Sequence, residues 1–460
     1  MLNIHRPRRA MLFWISWPIF IELFLSTFMR SADTLMLSFV SDEAVGAVGI
    51  ANQFIFFAFV FFSVLSAGSA IVVAQYLGAG KRNEIVGIVS SSVAISFLVG
   101  LVMSSIVILH RSALLGWFRL DANQYDDANA YLVITGSALC IQAMTMTMSA
   151  VIQAHGYTKQ SMYINIIMNV VNIAGNYLFI FGAFGFPKLD VVGVSISTVI
   201  SQCLGFLITC RLLHDKIGVS FRNWRHFVFW NREDLKKIVG IGLPAAGEHF
   251  SYVGAQIVTT MFITALGITM LTTMIYTVNI TSYIFIFLMA ISRGTQILTG
   301  HFIGAGLLDK AYKQGIRSLY AGLGIALVLA GCSGIWGERF LSLFTKDESI
   351  IQLGASLLLL GLVLEPGRTF NIVIGHALRA AGDTRFMSIV SVLSMWCISV
   401  PLSYWLGVRL GFGLYGIWLA YILDEWVRGS ILFYRWRSRR WERKRFVDSV
   451  DAGGKKVHQV

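Results

Sequence analysis

Residues 73–84 read "VAQYLGAGKRNE" and residues 299–310 read "TGHFIGAGLLDK", so that the tripeptide Gly-Ala-Gly at 78–80 recurs at 304–306, an offset of 226 positions. The same offset carries "HGYTK" at 155–159 onto "AGDTR" at 381–385, and Phe118 onto Phe344. Matches that share one offset indicate an internal duplication. The chain therefore consists of two copies of one structural unit.

The composition indicates what kind of unit is duplicated. The chain of 460 residues is 56% hydrophobic and only 13% charged, with a mean hydropathy of +0.69. Soluble domains carry about 25% charged residues, and a bilayer core is crossed by about 20 apolar residues in a helix. Polar breaks divide this sequence into twelve apolar spans, at 11–40, 46–77, 86–110, 128–152, 160–183, 190–213, 236–266, 270–303, 311–336, 349–378, 386–408 and 413–435.

Six spans in each copy place both halves in the membrane with the same orientation, which makes the repeat a parallel one. We predict an all-α membrane protein of twelve transmembrane helices, arranged as two pseudo-symmetric six-helix lobes around a central cleft. The predicted domains are an N-terminal lobe at 1–213, a cytoplasmic linker at 214–237, a C-terminal lobe at 238–435 and a basic cytoplasmic tail at 436–460. Such a cleft suits alternating access.

The net charge of +13 follows membrane topology and does not indicate a nucleic-acid partner. With the N-terminus inside, the inner loops and termini hold 27 Lys and Arg residues and the outer loops hold six. The positive-inside rule then predicts a multi-pass membrane protein with both termini in the cytoplasm. The tail sequence "RWRSRRWERKRF" directly follows a span, which favours contact with anionic membrane lipids over RNA.

The first span contains the stretch "FMRSADTLMLSF" at 28–39, with Arg30 and Asp33 inside an apolar run. Ionisable groups at membrane depth are costly, and they commonly mark a pathway for ions or substrates. Two interpretations stay open at this point. Arg30 and Asp33 are three residues apart and can pair on one helix face, whereas Glu22 lies about three turns before Asp33 and can share its face.

Several motifs together resemble the multidrug and toxic compound extrusion (MATE) family, most closely its bacterial members. They are "GAGK" after the second span, "FGFPKLDVVGVSISTVIS" at 184–201 and "ALRAAGDTRF" at 377–386. The resemblance extends from about Arg9 to Arg435. It implies a secondary antiporter that exports amphipathic, cationic organic compounds in exchange for protons or sodium ions.

The resemblance also implies a cation-coupling site in the first lobe. The acidic residue that the family uses in the first span corresponds to Asp33, and Thr198 takes the position of a hydroxyl near that site. Family members often have an Asn followed four residues later by an Asp, but here Asn172 is followed by Asn176. The missing carboxylate favours a proton over sodium as the coupling ion, although amide oxygens also suit sodium. We expect no other cofactor, no metal site and no catalytic residues.

The second lobe has charges of its own, which form a possible cation or substrate site. Glu248 lies early in the seventh span, and Glu365 and Arg368 are spaced to pair in the tenth. Arg368 stands near the position where related NorM-like sequences carry a tenth-span acid, which is a departure from their sodium site. In the twelfth span, Asp424, Glu425 and Arg428 are spaced to neutralise one another.

If Arg30 were a tight partner of Asp33, the carboxyl would stay ionised and could not exchange protons. We therefore predict that Arg30 points away from Asp33 and that the Asn172 and Asn176 amides surround the carboxyl instead. Two other functions remain open. A lipid-linked precursor flippase would use intramembrane arginines (Arg30, Arg293 and Arg368) for a pyrophosphate head, and a membrane-embedded enzyme would need a catalytic cluster that the sequence does not contain. We expect a monomer that binds small amphipathic substrates.

Overall fold

The computed structural model describes residues 10–118, 120–219, 232–444 and 446. Part of the predicted linker, at 220–231, lies outside the described residues. The same holds for the basic residues before Ala10 and for most of the predicted tail, at 445 and 447–460.

The described residues form helices and no strands. We number the long helical spans in chain order as α1 (Met11–Ser38), α2 (Asp42–Gly78), α3 (Arg82–Leu109), α4 (Ala122–Ser137 and Leu139–Ala154), α5 (Thr158–Phe181), α6 (Asp190–Ile217), α7 (Arg232–Ala265), α8 (Ile268–Gly304), α9 (Leu308–Ile335), α10 (Glu348–Ala380), α11 (Thr384–Arg409) and α12 (Gly413–Arg437). Short helices follow α3 (Arg111–Gly116), α5 (Ala183–Gly185), α9 (Gly337–Leu341) and α12 (Arg440–Lys444).

Length and hydropathy of these helices confirm the predicted fold class. Within the described residues, nine helices are long and apolar enough to cross a membrane, and α4, whose two parts meet at a bend of 48°, makes a tenth. The remaining two long helices carry ionisable side chains within their length, Glu248 in α7 and the group Asp424, Glu425 and Arg428 in α12. Their boundaries lie within a few residues of the predicted spans.

Two of the spans are not regular throughout. In α10 the residues Phe370–Ile374 form a π-helical segment, and in α11 so do Met395–Ser399 and Ser403–Arg409. Such segments interrupt the regular hydrogen-bond ladder and often occur near functional sites. The equivalent spans of the first half, α4 and α5, contain no π-helical segment.

The backbone repeats at the predicted offset. Gly80 and Gly306, which end the two Gly-Ala-Gly turns, have φ angles of 73° and 72°, and Gly156 and Gly382 both have a φ of 87°. These left-handed conformations are readily adopted only by glycine and are typical of residues that follow a helix end. The helices α2 and α8 therefore end in the same way, and so do α4 and α10.

By their internal contacts the residues divide into two compact units. The first unit comprises Ile21–Gly242, and the second comprises the residues from Leu243 onward together with the part of α1 up to Phe20. Residues 11–20, at the beginning of α1, thus group with the second unit, and residues 232–242, at the beginning of α7, group with the first.

Glycines allow the beginnings of α1 and α7 to pack closely against neighbouring helices of their units. In the first unit, a Cβ atom added to Gly68 of α2 would lie 2.7 Å from the carbonyl oxygen of Ile238 in α7. In the second unit, a Cβ atom added to Gly294 of α8 would lie 2.3 Å from Ser16 Oγ in α1. Gly68 and Gly294 are again 226 positions apart, so this close helix contact also belongs to the repeated pattern.

Apolar side chains fill both units and also cover much of the outer surface of the helices. The first unit has a core that includes the fully buried Phe62, Leu132 and Leu139. The second has a core around Leu357 and Ile417. Large apolar residues stay exposed along the spans, among them Phe57, Ile106, Leu207 and Val328. An apolar exterior of this kind is what a lipid environment requires.

Candidate functional site

Helices α1, α5 and α6 bring together the four polar residues predicted for the first lobe, which we call the first-lobe polar cluster: Asp33, Asn172, Asn176 and Thr198. Asn176 Nδ2 donates to Asp33 Oδ1 at 2.6 Å and also approaches Asn172 Oδ1 at 3.4 Å. Asn172 Nδ2 in turn donates to Thr198 Oγ1 at 3.2 Å. The cluster is a continuous chain of hydrogen bonds that ends on the carboxyl group of Asp33.

The spacing of the asparagines explains this arrangement. Asn172 and Asn176 are four residues apart, so their side chains lie one above the other on one face of α5. Both are fully buried, because that face packs against the neighbouring helices of the unit. Asn176 Oδ1 is buried and has no hydrogen-bond partner among the described residues. A neutral Asp33 could donate a hydrogen bond to such an acceptor, whereas the carboxylate could not.

Arg30 does not contribute to this cluster. Its Nη2 donates to Thr27 Oγ1 at 3.3 Å, and no ion pair joins Arg30 to Asp33 in the part of the chain that the structure describes. Arg30 is exposed, whereas Asp33 lies partly buried toward α5. The two side chains therefore have different surroundings, although they are only three residues apart on α1.

Glu22 belongs to a separate group of polar residues. Its carboxylate accepts hydrogen bonds from Gln153 Nε2 at 3.0 and 3.1 Å and from Ser161 Oγ at 3.0 Å. Gln153 lies at the end of α4 and Ser161 at the start of α5, near the end of the unit where the predicted cytoplasmic loops lie. Glu22 and Asp33 are about 16 Å apart along the helix axis, and the structure gives each its own partners.

In the second lobe, two predicted pairs join into one structure, the second-lobe ion network: Glu365, Arg368, Asp424, Glu425 and Arg428. Arg368 Nη1 donates to Glu365 Oε1 at 2.7 Å, and its Nε lies 3.7 Å from Glu425 Oε1. Arg428 pairs with Asp424 at 3.0 Å and with Glu425 at 3.1 Å. Further hydrogen bonds reach the network from Asn371 to Glu425 and from Ser394 to Asp424.

Three carboxylates and two guanidinium groups make up this network, so acids outnumber bases by one. Glu365 is completely buried, and its second oxygen, Oε2, has no hydrogen-bond partner among the described residues. A buried carboxylate that is only partly compensated is costly. The network can therefore respond to a proton or to another cation.

Glu248 lies outside the network and has a partner that the sequence did not suggest. Arg379 Nη2 donates to Glu248 Oε2 at 2.8 Å, and Ser388 Oγ donates to the same oxygen at 3.2 Å. Of the three residues predicted for a second-lobe site, Glu365 and Arg368 contact each other, whereas Glu248 forms a separate ion pair.

Several of these partners were not predicted. Arg379, Gln153 and Ser161 lie near helix ends, where polar residues are expected to be solvated, and nothing in their local sequence distinguishes them. Charge alone could have indicated the connection between the pairs at 365–368 and 424–428. The group at 424–428 contains two acids and one arginine, so one of its acids is available to a second arginine. The described residues contain no group of three or more His, Cys, Asp or Glu side chains that could hold a metal ion.

A duplicated bundle of membrane-crossing helices, with carboxylates held inside each lobe by amides or arginines, defines a multi-pass membrane transporter. The chain belongs to the MATE family of multidrug efflux transporters: the family named MatE matches residues 18–178 and again residues 244–405. The two matches begin 226 positions apart, which is the offset of the internal repeat. The members of this family are transporters.

Relatives and solved structures agree with this assignment. The chain is 42% identical to the uncharacterized transporter YisQ of Bacillus subtilis (strain 168), over 94% of this chain and 95% of that protein. It is 26% identical to the multidrug resistance protein NorM of Aliivibrio fischeri, over 91% of this chain and 92% of NorM.

Two solved structures have the same fold. A crystal structure of MATE in the bent conformation superposes with a TM-score of 0.85 at 18% identity, covering 94% of this chain and 95% of the other. A MOP superfamily transporter from Pyrococcus furiosus, described as having a binding pocket of reverse polarity, superposes with a TM-score of 0.83 at 19% identity, covering 93% and 95%. At these identities the likeness concerns the fold alone.

Proposed function

We propose that this protein is a secondary antiporter that exports amphipathic, cationic organic compounds in exchange for protons by alternating access. The observation that carries the proposal is the contact between Asp33 and Asn176. Asp33 is a membrane-depth carboxyl whose hydrogen-bond partner is a neutral amide and which forms no ion pair in the described chain. Such a group can lose and regain a proton.

Coupling follows if Asp33 cannot hold a proton while the cationic compound is bound. Proton uptake from outside neutralises Asp33, weakens the attraction for the compound and promotes its release. Neutral Asp33 then donates a hydrogen bond, and the unpartnered Asn176 Oδ1 is a suitable acceptor once the amide has turned. Loss of the proton to the cytoplasm restores the carboxylate and the site for the next molecule.

A proton suits the first-lobe polar cluster better than sodium does. The cluster contains one carboxylate, two amides and one hydroxyl, and both amide donors are already engaged in hydrogen bonds to oxygens of the cluster. Sodium would need these oxygens to turn toward the ion, and a second carboxylate at position 176 is lacking. Sodium remains the alternative coupling ion, because amide and hydroxyl oxygens are hard ligands.

The second-lobe residues support this function less directly. Glu248 is paired with Arg379, and Glu365 with Arg368, so each acid already has a cationic partner. The flippase alternative needs arginines that are free to bind a pyrophosphate, and Arg368 is engaged by two acids. We further propose a monomer in the bacterial inner membrane with both termini in the cytoplasm, whose basic tail contacts anionic lipids and not nucleic acid.

Efflux from proteoliposomes under imposed gradients tests the proposal. Parent protein should export a cationic dye such as ethidium when a proton gradient is applied, and a sodium gradient alone should drive little export. Asp33→Asn should abolish proton-driven export. Glu43→Gln, which removes an exposed carboxylate at the start of α2, is the matched control and should export at the parent rate. Export by Asp33→Asn at the parent rate would contradict the proposal.

A further inference from the structure

One face of α1 is left uncovered by the rest of its unit, and the equivalent face of α7 is uncovered in the other unit. The groove on α1 is lined by Thr27, Arg30, Ser31, Thr34, Leu35 and Ser38. The positions 226 residues later, Val253, Gln256, Ile257, Thr260, Met261 and Thr264, all line a groove on α7. Each face belongs to a single helix and is open to its surroundings.

The two faces differ in chemistry although they are equivalent in position. The α7 face carries Val253, Ile257 and Met261, with Tyr252 beside them, and is largely apolar. The α1 face carries four hydroxyl groups and one arginine, Arg30, where α7 has Gln256. The positive charge at position 30 therefore distinguishes the α1 face from the equivalent α7 face.

Arg30 has no negatively charged partner among the described residues. A guanidinium group has five N–H donors, and the acceptor found for Arg30 is the neutral Thr27 Oγ1 at 3.3 Å. No ion pair of Arg30 occurs within the described residues, and the nearby Asp33 is bound by Asn176. The neighbouring hydroxyl groups of Ser31 and Thr34 already donate their hydrogens to carbonyl oxygens of α1. Their oxygens remain able to accept a hydrogen bond.

We propose that the exposed face of α1 binds the anionic group of the transported compound, a carboxylate or a group of similar charge, through Arg30. This inference rests on the proposed export function and adds to it a preference for zwitterionic amphipaths over simple cations. A guanidinium binds a carboxylate through parallel, charge-assisted hydrogen bonds, which a neutral amide such as Gln256 cannot offer. Compounds without an anionic group lose this contact and also meet the positive charge of Arg30.

A lipid phosphate is the other anion within reach, since Arg30 lies about 12 Å from the end of α1. The chemistry of the face favours a substrate. Surfaces of other helices expose large apolar side chains, such as Phe57 on α2 and Val328 on α9, as lipid tails require. On α1, four of the six groove residues carry hydroxyl groups instead. The experiment below separates the two sources by lipid composition.

The test compares rhodamine B, which carries both a xanthylium cation and a carboxylate, with its ethyl ester, which lacks the carboxylate. Fluorescence anisotropy measures their binding to the full chain in phosphatidylcholine nanodiscs, without any ion gradient. We expect the parent to bind rhodamine B about tenfold more tightly than the ester. Arg30→Gln should abolish this preference by weakening rhodamine B binding alone, and Arg30→Lys should retain part of it.

Gln256→Ala, at the equivalent position of α7, is the matched control and should keep the parent preference. Equal binding of the two dyes by the parent, no binding of either, or an unchanged preference in Arg30→Gln would overturn the proposal. The proposal would also be overturned if the preference of the parent disappeared when about a fifth of the lipid is phosphatidylglycerol, because Arg30 would then bind a lipid headgroup. Thermal unfolding of each variant verifies folding. Because no gradient is used, the outcome does not depend on the efflux result for Asp33→Asn.

Discussion

Asp33 and Arg30 are three residues apart in sequence, yet the structure gives them different surroundings. The carboxyl of Asp33 contacts Asn176 inside the first lobe, and the guanidinium of Arg30 lies exposed next to Thr27. Under the roles we propose, this separation leaves Asp33 available to exchange a proton and Arg30 available to attract an anion. If the two had formed an ion pair, neither would be available.

The first prediction at this scale concerns the pH dependence of substrate binding. Protonation of Asp33 removes the charge that attracts a cationic compound, so the affinity of the parent for ethidium should fall as the pH is lowered from about 8 to about 5. The affinity of Asp33→Asn should stay flat over that range, because its amide does not titrate. Isothermal titration calorimetry measures both. A variant with the pH dependence of the parent would remove Asp33 from the mechanism.

The second prediction concerns the acids of the second lobe. Glu248→Gln and Glu365→Gln should reduce efflux less than Asp33→Asn does, because both acids are held by arginines. Their main effect should be on stability: Glu248→Gln leaves Arg379 without its acid at a partly buried position, at a cost of about 3 kcal/mol. Thermal unfolding in detergent measures this effect.

The double variant Glu248→Gln/Arg379→Gln should recover most of the lost stability, since no unpaired charge remains. If Glu248→Gln abolished efflux while Asp33→Asn remained active, the coupling site would lie in the second lobe.

At the scale of helices, close packing depends on glycines at repeated positions, and the repeated pair Gly68 and Gly294 can be compared with Gly87, which has no close neighbour. Gly68→Ala should destabilise the protein by about 1–3 kcal/mol, because the new Cβ would lie 2.7 Å from a backbone oxygen that cannot move alone. Gly294→Ala should cost less, since its Cβ meets the side-chain oxygen of Ser16, which can rotate. Gly87→Ala, with no atom within 4 Å, should be neutral or slightly stabilising. Unfolding midpoints of the three variants in one detergent rank them, and equal midpoints would contradict this packing.

The existence and limits of the helices were predictable, but their irregularities were not. The length of the apolar run alone predicts the ends of α2 and α8 to within a few residues, because a helix at membrane depth has to satisfy its own backbone hydrogen bonds. The 48° bend of α4 at Ala138 follows no proline. It lies beside a close approach in which a Cβ on Gly100 would be 2.6 Å from the Cα of Cys140. Such a bend depends on the neighbouring helix, which the local sequence does not describe.

For the whole molecule, the distribution of charge predicts the topology. Thiol labels introduced near Lys81, near Lys310 or in the C-terminal tail should react only from the cytoplasmic side, because the predicted inner loops hold 27 basic residues and the outer loops six. A label near Lys188, in a predicted outer loop, is the control and should react from outside. Intact cells treated with a membrane-impermeant maleimide distinguish these cases. Reaction from outside at any of the first three positions would overturn the proposed topology.

By itself the sequence determined the duplication, the membrane class, the helix limits and the pairs that lie three or four residues apart, such as Glu365 with Arg368. These properties depend on composition, on the offset of 226 and on the pitch of the helix, all of which are local along the chain. Only the tertiary structure decided which polar groups meet across helices. It brings Arg379 to Glu248 over 131 residues and joins the α10 and α12 pairs into one network, whereas the proximity of Asn176 to Asp33 was expected from the family resemblance. Those partners depend on how each helix is rotated and packed against its neighbours, and spacing along one helix carries no information about that rotation.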